Sequence, residues 1–246
     1  MSERIRLDLA LEQRGLVPSR ARARDAILRG TVTINDVTAV KQNQMVGKDD
    51  KIALDDPAAS FVSRAALKLV AGLEAGNIDP NDKTCIDVGA STGGFTQVLM
   101  ERGARRIYAV DVGHDQLHQR LKGSNRVVSM EGVNARDLTA EMIPEPIDLL
   151  VSDVSFVSVT KVLEAPLALC TPTADAVILF KPQFEVGRRN VGKGGIVTDQ
   201  VAIEAALAEV IAFMAAQGFD HRHSITSPIS GGDGNVETVL VFARSR

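Results

Sequence analysis

Three side chains that could do chemistry stand at or near the ends of apolar strands in this sequence. Asp153 follows the apolar run 147–151, and Lys181 follows the apolar run 176–180 and precedes a proline. Open α/β sheets keep their chemistry at the carboxyl ends of their strands, so both positions favour a functional role. Glu237 lies near the start of a last predicted strand. A lysine among carboxylates acts as a base when neutral, whereas its charged form orients an oxygen and stabilises negative charge.

A glycine-rich turn predicts a site for a nucleoside-containing cofactor. Segment 84–96 begins as an apolar strand, breaks at glycines and continues as a helical pattern, which exposes backbone N–H groups at a positive helix end. Asp111 ends the next apolar strand, roughly twenty positions after Gly89, where a Rossmann-like fold holds a ribose. A dinucleotide motif has a glycine where this chain has Ser91, so an NAD site fits poorly. The alternative is that the glycines serve only a tight turn.

The glycine pattern looks more like the first motif of S-adenosylmethionine-dependent methyltransferases, so S-adenosylmethionine is the expected cofactor. An acid after the third strand of an adenosine-binding fold can meet the adenine amino group, which adds Asp137 to the candidates. The predicted cofactor-binding residues are Asp87, Gly89, Ala90, Ser91, Thr92, Gly93, Gly94, Phe95, Asp111, Asp137 and Asp153.

The composition is that of a globular protein with an aliphatic core. Hydrophobic residues make up 45% of the 246 positions, aromatic residues only 4%, and there is no Trp. The two cysteines lie in apolar runs, and His114 and His118 have no third ligand nearby, so we expect reduced thiols and no metal. No segment is typical of a secretion signal or a membrane span. We therefore expect a cytoplasmic protein without a membrane partner, and a monomer by default.

The N-terminal part of the chain differs from the rest in charge. Residues 1–48 contain nine Lys or Arg against five Asp or Glu, although the whole chain has a formal net charge of −3. The pattern predicts two helices, the second capped by Ser19, and then short strands with a hairpin turn at Asn35 and Asp36. This order, with arginines on the second helix, resembles the S-four-type RNA-binding domain. The alternative is a solvated charged helix.

The larger part of the chain alternates strands and helices. It is predicted to open with a helix capped by Ser63 and running to about Ala75, on which periodicity places Lys68 at the surface. Another helix is predicted over residues 159–169, and a C-terminal hairpin closes a sheet of about seven strands. The glycine-rich loop 187–195 carries basic side chains, which favours phosphate contact or a lid over substrate.

Six motifs spread over essentially the whole chain carry a resemblance to a known family. They are Ser63-Arg64 with Leu67-Lys68-Leu69, the segment 87–96, Val110-Asp-Val-Gly-His114 with Gln116-Leu117, Asp153-Val-Ser-Phe156, Lys181-Pro-Gln-Phe-Glu-Val-Gly187 and Gly234-Asn-Val-Glu237. The chain resembles the TlyA proteins, which are known as haemolysins and as ribosomal-RNA 2′-O-methyltransferases and are related to the FtsJ group. One departure is the pair Ala65 and Ala66, where the family is expected to have glycine-type residues.

The resemblance implies methyl transfer from S-adenosylmethionine to a ribose 2′-hydroxyl of ribosomal RNA, within ribosomal subunits. It implies a catalytic set of Lys68, Asp153, Lys181 and Glu237. Lys181 is the expected central residue, the carboxylates would position the lysines, and Lys68 would give electrostatic support or contact the ribose and phosphate. The sequence leaves the protonation state of Lys181 open.

The expected architecture is α/β, with a small α+β S-four-type RNA-binding domain before a seven-stranded Rossmann-like methyltransferase domain. The predicted domains are residues 1–56 and 63–246, joined by a linker over 57–62. The predicted RNA-binding residues are Arg4, Arg6, Arg20, Arg22, Arg24, Arg29, Arg64, Arg188, Arg189 and Lys193. The alternative function is a non-catalytic RNA- or ribosome-binding assembly factor, which would not need the four catalytic side chains. A membrane-lysing protein would need an amphipathic or apolar segment, and none is found.

Overall fold

The computed structural model describes residues 4–244, and the chain forms two compact units that divide between Ser60 and Phe61. The division falls inside the segment predicted as a linker. Each unit has hydrophobic cores of its own. No helix among residues 4–244 is long and apolar enough to cross a lipid bilayer.

The first unit packs two helices and short strands around one small core. Its elements are β1 (Ile5–Arg6), α1 (Leu7–Gln13), α2 (Arg20–Leu28), β2 (Val32–Ile34), β3 (Val37–Thr38), β4 (Met45–Val46) and β5 (Ile52–Leu54). The Ser19 hydroxyl accepts the Arg22 N–H at 3.3 Å, which confirms the predicted helix cap. Asn35 and Asp36 both have positive φ between β2 and β3, a turn whose twist suits a two-stranded hairpin. The pairing of β1 with β4 was not predicted, because two-residue strands carry no periodic pattern.

The second unit is a seven-stranded sheet with helices. Its strands are β6 (Thr84–Val88), β7 (Arg106–Asp111), β8 (Val127–Glu131), β9 (Ile147–Ser152), β10 (Cys170–Phe180), β11 (Phe219–Thr226) and β12 (Thr238–Arg244). Its helices are α3 (Ala66–Ala75), α4 (Gly94–Glu101), α5 (Gln119–Lys122), α6 (Glu164–Ala168), α7 (Pro182–Glu185) and α8 (Gln200–Ala216). The strand order is β11-β12-β10-β9-β6-β7-β8. The strands from β10 to β8 in this order are parallel, and β12 is antiparallel to both of its neighbours. The predicted Rossmann-like α/β fold and its C-terminal hairpin are confirmed.

Alternate side chains of the central strands enter two separate cores. On β6, Cys85 packs with residues of α3 and α4, and Ile86 packs with residues of α6 and α8. Successive side chains of a strand point to opposite faces, so a strand covered on both faces has to be largely apolar. The parallel strands therefore carry their chemistry-bearing residues at their carboxyl ends, where Asp111, Asp153 and Lys181 lie.

The start of α3 was predicted wrongly. The helix begins at Ala66, and the residues before it form turns. The Ser63 hydroxyl accepts the Ala65 N–H at 3.2 Å, so it stabilises a turn ahead of the helix instead of capping the helix itself.

The helix predicted over residues 159–169 was also wrong as one element. A short 3-10 turn at Val159–Lys161 comes first, and α6 follows. Pro166 lies in the first turn of α6, which is where a helix tolerates a residue without a backbone N–H. A helix running through from residue 159 would have placed Pro166 in its interior.

Candidate active site

Lys181 and Asp153 meet at the edge of the sheet where the parallel strands end. They follow the neighbouring strands β10 and β9, so the strand pairing brings them together. Lys181 Nζ lies 2.7 Å from Asp153 Oδ1, and it donates hydrogen bonds to Ser155 Oγ at 2.8 Å and to the Asp153 backbone oxygen at 3.2 Å. The amine of Lys181 is therefore held by the residues of one segment, 153–155, at the end of β9.

Lys68 and Glu237 form a second ion pair beside the first. Lys68 Nζ lies 2.5 Å from Glu237 Oε2 and 3.8 Å from Asp153 Oδ2. The prediction that Lys68 lies at the surface was wrong, since only 6% of the residue is exposed. Helix α3 packs closely on the sheet at Gly72, where an added Cβ would lie 2.6 Å from Val177 Cγ1. This close packing carries Lys68, one turn earlier on the helix, to the ends of the strands.

The four side chains form a chain of alternating charge in the order Lys181, Asp153, Lys68 and Glu237. One helix, two strand ends and the residue before β12 supply them. Buried ion pairs seldom stabilise a protein more than apolar packing of the same volume would. A buried cluster of this kind at the edge of an open α/β sheet is therefore evidence of function.

The turn between β6 and α4 has the backbone conformation that its glycines predicted. Gly89, Ser91 and Gly93 all have positive φ. Asp111 holds this turn, because its Oδ2 accepts the Ser91 N–H at 2.8 Å while its Oδ1 accepts the Gly113 N–H at 2.7 Å. Each carboxylate oxygen retains a lone pair with which it can accept a hydrogen bond from a ligand hydroxyl.

A cavity of about 470 Å³ lies along the glycine turn. Its size is within the range of small-molecule sites in proteins. Four of the residues predicted to bind the cofactor line it, namely Gly89, Ser91, Asp111 and Asp153. The loops after β7, β8 and β9 supply further lining residues, among them Gln116, Asn134, Arg136, Ser155 and Phe156.

A smaller cavity of about 150 Å³ shares part of this wall and reaches Lys181. Seven of the predicted cofactor-binding residues line it besides Asp153, namely Asp87, Gly89, Ala90, Ser91, Thr92, Gly94 and Phe95. Lys181, which follows β10, and the glycine turn after β6 therefore face the same cavity.

Asp87 is a fully buried carboxyl group in the wall of the smaller cavity. Burial raises the pKa of Asp87 to about 7, although a hydrogen bond from Thr96 Oγ1 at 2.7 Å acts in the opposite direction. Its other oxygen, Oδ1, has no hydrogen-bond partner among residues 4–244. A buried carboxylate oxygen without a partner suits a ligand that brings a cationic or hydrogen-bond-donating group.

Two predicted cofactor-binding residues do not line either cavity. An added Cβ at Gly93 would lie 2.3 Å from Leu121 Cδ1, so this glycine serves close packing and the positive φ at the start of α4. Asp137 is exposed, and Asn134 lines the larger cavity from the same loop. The backbone bends into a 3-10 turn at Ala135–Asp137, which directs successive side chains to different sides.

Ser155 and Phe156 line the larger cavity and were not predicted as site residues. Both belong to the motif that begins at Asp153, which was the available signal. Phe156 is 91% exposed and has a φ of +68°, an uncommon conformation for a bulky residue. Its ring centroid lies 5.3 Å from that of Phe184 on α7, the helix that follows Lys181. The exposed ring is therefore held by the same segment that carries the central lysine.

The arginines predicted to bind RNA have different surroundings in the first unit. Arg29 forms a bidentate pair with Asp56 at 2.5 and 2.7 Å and pairs with Asp25 at 3.0 Å, and its side chain is only 15% exposed. These contacts pair the charge of Arg29 within the first unit, so its surroundings differ from those of the more exposed arginines predicted to bind RNA. Arg22 donates to the Ala58 backbone oxygen at 2.7 Å.

Three other arginines of this unit, Arg6, Arg20 and Arg24, converge on the buried carboxylate of Asp8. Arg4 is exposed and donates to the Met45 backbone oxygen at 3.2 Å.

The basic residues of the loop between α7 and α8 are exposed in the second unit, and Arg64, before α3, is half-buried. The exposed ones are Arg188, Arg189 and Lys193. Buried Asn235 fixes the end of this loop, because its amide accepts the Val197 N–H at 3.0 Å and donates to the Gly195 oxygen at 2.9 Å. Asn235 stands two residues before Glu237, so the loop is tied to the segment that supplies the cluster. Within residues 4–244, no three His, Cys, Asp or Glu side chains are grouped to hold a metal ion.

Comparison with known proteins agrees with this two-unit organisation. Residues 61–244 match the FtsJ-like methyltransferase family, and residues 5–52 match the S4 domain, which is the S-four type. The chain is 43% identical over 243 residues to the 16S/23S rRNA (cytidine-2′-O)-methyltransferase TlyA of Mycobacterium tuberculosis, covering 98% of this chain and 90% of that protein.

Two haemolysin-named proteins are similar over comparable lengths. Hemolysin A of Brachyspira hyodysenteriae is 39% identical over 239 residues, which cover 97% of this chain and 99% of that protein. A solved haemolysin structure from Streptococcus thermophilus has a TM-score of 0.76 and 34% identity, covering 100% of this chain and 90% of that one. The chain belongs to the TlyA family of FtsJ-like methyltransferases with an S-four domain.

Proposed function

We propose that this protein transfers a methyl group from S-adenosylmethionine to the ribose 2′-oxygen of a cytidine in ribosomal RNA. The observation that carries the proposal is the buried Lys181–Asp153–Lys68–Glu237 chain at the wall of the glycine-turn cavities. Relatives with 43% identity over almost the whole chain are named for this reaction on 16S and 23S RNA. The proposed domain bounds are 1–56 and 63–246. We further propose that the protein is cytoplasmic, since ribosomal subunits occur in that compartment. We propose a monomer, since one chain supplies every proposed residue.

The residues around the two cavities fit S-adenosylmethionine. Asp111 presents carboxylate oxygens to the larger cavity, where they suit the hydroxyls of the cofactor ribose. Ionised Asp87 lines the smaller cavity with an unpartnered oxygen, which suits the α-ammonium group of the cofactor. The bound cofactor supplies an electrophilic methyl group on a sulfonium.

Lys181 orients the attacking 2′-oxygen. One of its three neighbouring oxygens is the hydroxyl oxygen of Ser155, which is an exposed residue. The ribose hydroxyl can therefore take the place of the serine hydroxyl. The ammonium group then stabilises the negative charge that develops on the 2′-oxygen as the hydroxyl loses its proton. Asp153, at 2.7 Å from Nζ, is the adjacent carboxylate that can accept the hydroxyl proton. Lys68 and Glu237 hold Asp153 and the lysines in place.

Phe156 provides an apolar surface at the rim of the cofactor cavity. Proteins that recognise RNA by sequence mostly bind unstacked bases, and such a base can stack on an aromatic ring. The ring of Phe156 is exposed, supported by Phe184, and three residues from Asp153. We assign it to the target base.

The experiment is transfer of tritiated methyl groups from S-adenosylmethionine to separate, unmodified small and large ribosomal subunits. Wild type is compared with Lys181→Ala and with Lys161→Ala, an exposed lysine that lines neither cavity. We expect label at a ribose 2′-oxygen of cytidine with wild type and Lys161→Ala. Lys181→Ala should lose at least about 100-fold in rate while binding the cofactor almost as well as wild type does.

Two results would contradict the proposal at different points. A normal rate for Lys181→Ala would remove Lys181 from its central role. A wild-type protein that binds the cofactor but labels neither subunit would favour a non-catalytic ribosome-binding factor.

A further inference from the structure

One carboxylate in the first unit gathers three arginines. Asp8 Oδ1 accepts from Arg6 Nε at 2.9 Å and from the Leu9 N–H at 3.0 Å. Asp8 Oδ2 accepts from Arg6 Nη2, Arg20 Nη2 and Arg24 Nε, each at 3.1 Å. The side chain of Asp8 is fully buried under these groups. We call these four residues the Asp8 cluster.

The arginines of the Asp8 cluster remain open to solvent on their outer side. Their side chains are 43%, 42% and 46% exposed for Arg6, Arg20 and Arg24, respectively. Hydrogen bonds from the arginines, with the largest effect from Arg6, hold the pKa of Asp8 well below its ordinary range. The carboxylate is therefore charged at neutral pH. Three guanidinium groups against one carboxylate leave two positive charges uncompensated.

Another arginine of the same unit shows the opposite arrangement. Arg29 has two carboxylate partners, Asp25 and Asp56, and its side chain is only 15% exposed. Its charge is compensated and covered, as is typical of a structural ion pair. In the Asp8 cluster, by contrast, the carboxylate is buried and the guanidinium groups are exposed to solvent.

The Asp8 cluster joins three elements that differ in position along the chain. Arg6 ends β1, Asp8 lies in the first turn of α1, and Arg20 and Arg24 stand one turn apart on α2. A free arginine side chain is flexible, and ordering it when a ligand binds costs free energy. Hydrogen bonds to Asp8 fix part of each guanidinium beforehand and leave its solvent-exposed N–H groups for an anion.

We propose that Asp8 is a positioning residue that holds Arg6, Arg20 and Arg24 as one preformed site for the backbone phosphates of RNA. This inference rests on the proposed function, because ribosomal RNA is the ligand. Arginine forks recognise phosphate through paired N–H donors, so their orientation affects affinity in addition to their charge.

Charge and orientation give opposite expectations for Asp8→Asn, which makes the inference testable. The substitution adds one unit of positive charge, so a diffuse electrostatic role predicts tighter RNA binding. A positioning role predicts weaker binding, because the neutral amide releases the arginines. Asp49→Asn is the matched control, since it makes the same change of charge at an exposed residue of the same unit.

The measurement is filter binding of the full-length protein to transcribed, unmodified 16S and 23S ribosomal RNA at several KCl concentrations. We expect Asp8→Asn to bind about tenfold more weakly than wild type, and Asp49→Asn to bind as tightly as wild type or more tightly. The slope of log affinity against log salt should become shallower by about 0.7–0.9 for each phosphate that Asp8→Asn no longer binds. A decrease in stability alone would not change this slope for the folded fraction.

A second variant keeps the test valid if Asp8→Asn unfolds the first unit, which circular dichroism would show. Arg24→Lys retains the charge on an exposed helix position but loses the planar fork, so it should also weaken binding. Binding by Asp8→Asn or by Arg24→Lys as tight as wild type would overturn the positioning role while the proposed function stood. Failure of wild type both to bind either RNA and to methylate either ribosomal subunit would refute the proposed function itself.

Discussion

Removing Lys68 or Glu237 should separate the stability of the active-site cluster from its activity. The two side chains are only 8% and 3% exposed and their charged atoms are 2.5 Å apart. Breaking a buried ion pair by removing one partner costs about 3–5 kcal/mol, because the other charge remains buried without compensation. Replacing both partners by apolar residues of similar volume costs little or even stabilises the protein.

The structure predicts that the two single substitutions differ. Lys68→Met leaves Glu237 without another ion-pair partner among residues 4–244, so it should cost about 3 kcal/mol or more. In Glu237→Leu, Lys68 can still turn to Asp153, now 3.8 Å away, so the decrease in stability should be smaller. A decrease of about 3 kcal/mol lowers the Tm of a unit of this size by about 6–12 °C.

Differential scanning calorimetry and methyl transfer would be measured on both single variants and on Lys68→Met/Glu237→Leu. The double variant should recover most of the decrease in Tm but should remain at least about 100-fold less active than wild type. A double variant as unstable as Lys68→Met would show that the unpaired carboxylate of Glu237 is not the cause of the instability. Wild-type activity in the double variant would refute the role of the pair in positioning Asp153 and Lys181.

Two further predictions concern the walls of the cavities. Because burial raises the pKa of Asp87 to about 7, and the ionised form is the one proposed to pair with a cationic cofactor group, cofactor affinity should fall as pH decreases below about 7. The fall should approach tenfold per pH unit and should be absent in Asp87→Asn. Calorimetric titrations of the cofactor from pH 5.5 to pH 8 would measure it. A cofactor affinity of wild type that does not change with pH would contradict the pairing. Phe156→Gly should raise stability by about 1 kcal/mol, because a φ of +68° suits glycine, and should nevertheless slow methyl transfer to ribosomal subunits. Unfolding and initial-rate measurements test both parts, and an unchanged transfer rate would show that the ring does not contact the target nucleotide.

Features with a local cause were predictable from the sequence. The strand before Gly89, the positive φ of the glycines after it and the acid that ends β7 follow from short-range pattern and backbone sterics. The cap at Ser19 and the turn at Asn35 have the same kind of cause. Strand pairing in a parallel sheet then required Asp153 and Lys181 to end at one edge.

Features that depend on contacts between distant segments were decided by the tertiary structure. Lys68 looked exposed because periodicity describes a helix by itself, and its burial depends on Gly72 packing against β10 and on Glu237, 169 positions away. The basic surface of the first unit was visible as a run of arginines, but their partners were not. Arg29 became structural through Asp56, and Arg6, Arg20 and Arg24 became one cluster through Asp8. Residue type and spacing determined which groups this protein has for its chemistry. Packing alone determined which charges are paired, which are buried and which are exposed to solvent, because those properties depend on neighbours that are remote in the chain.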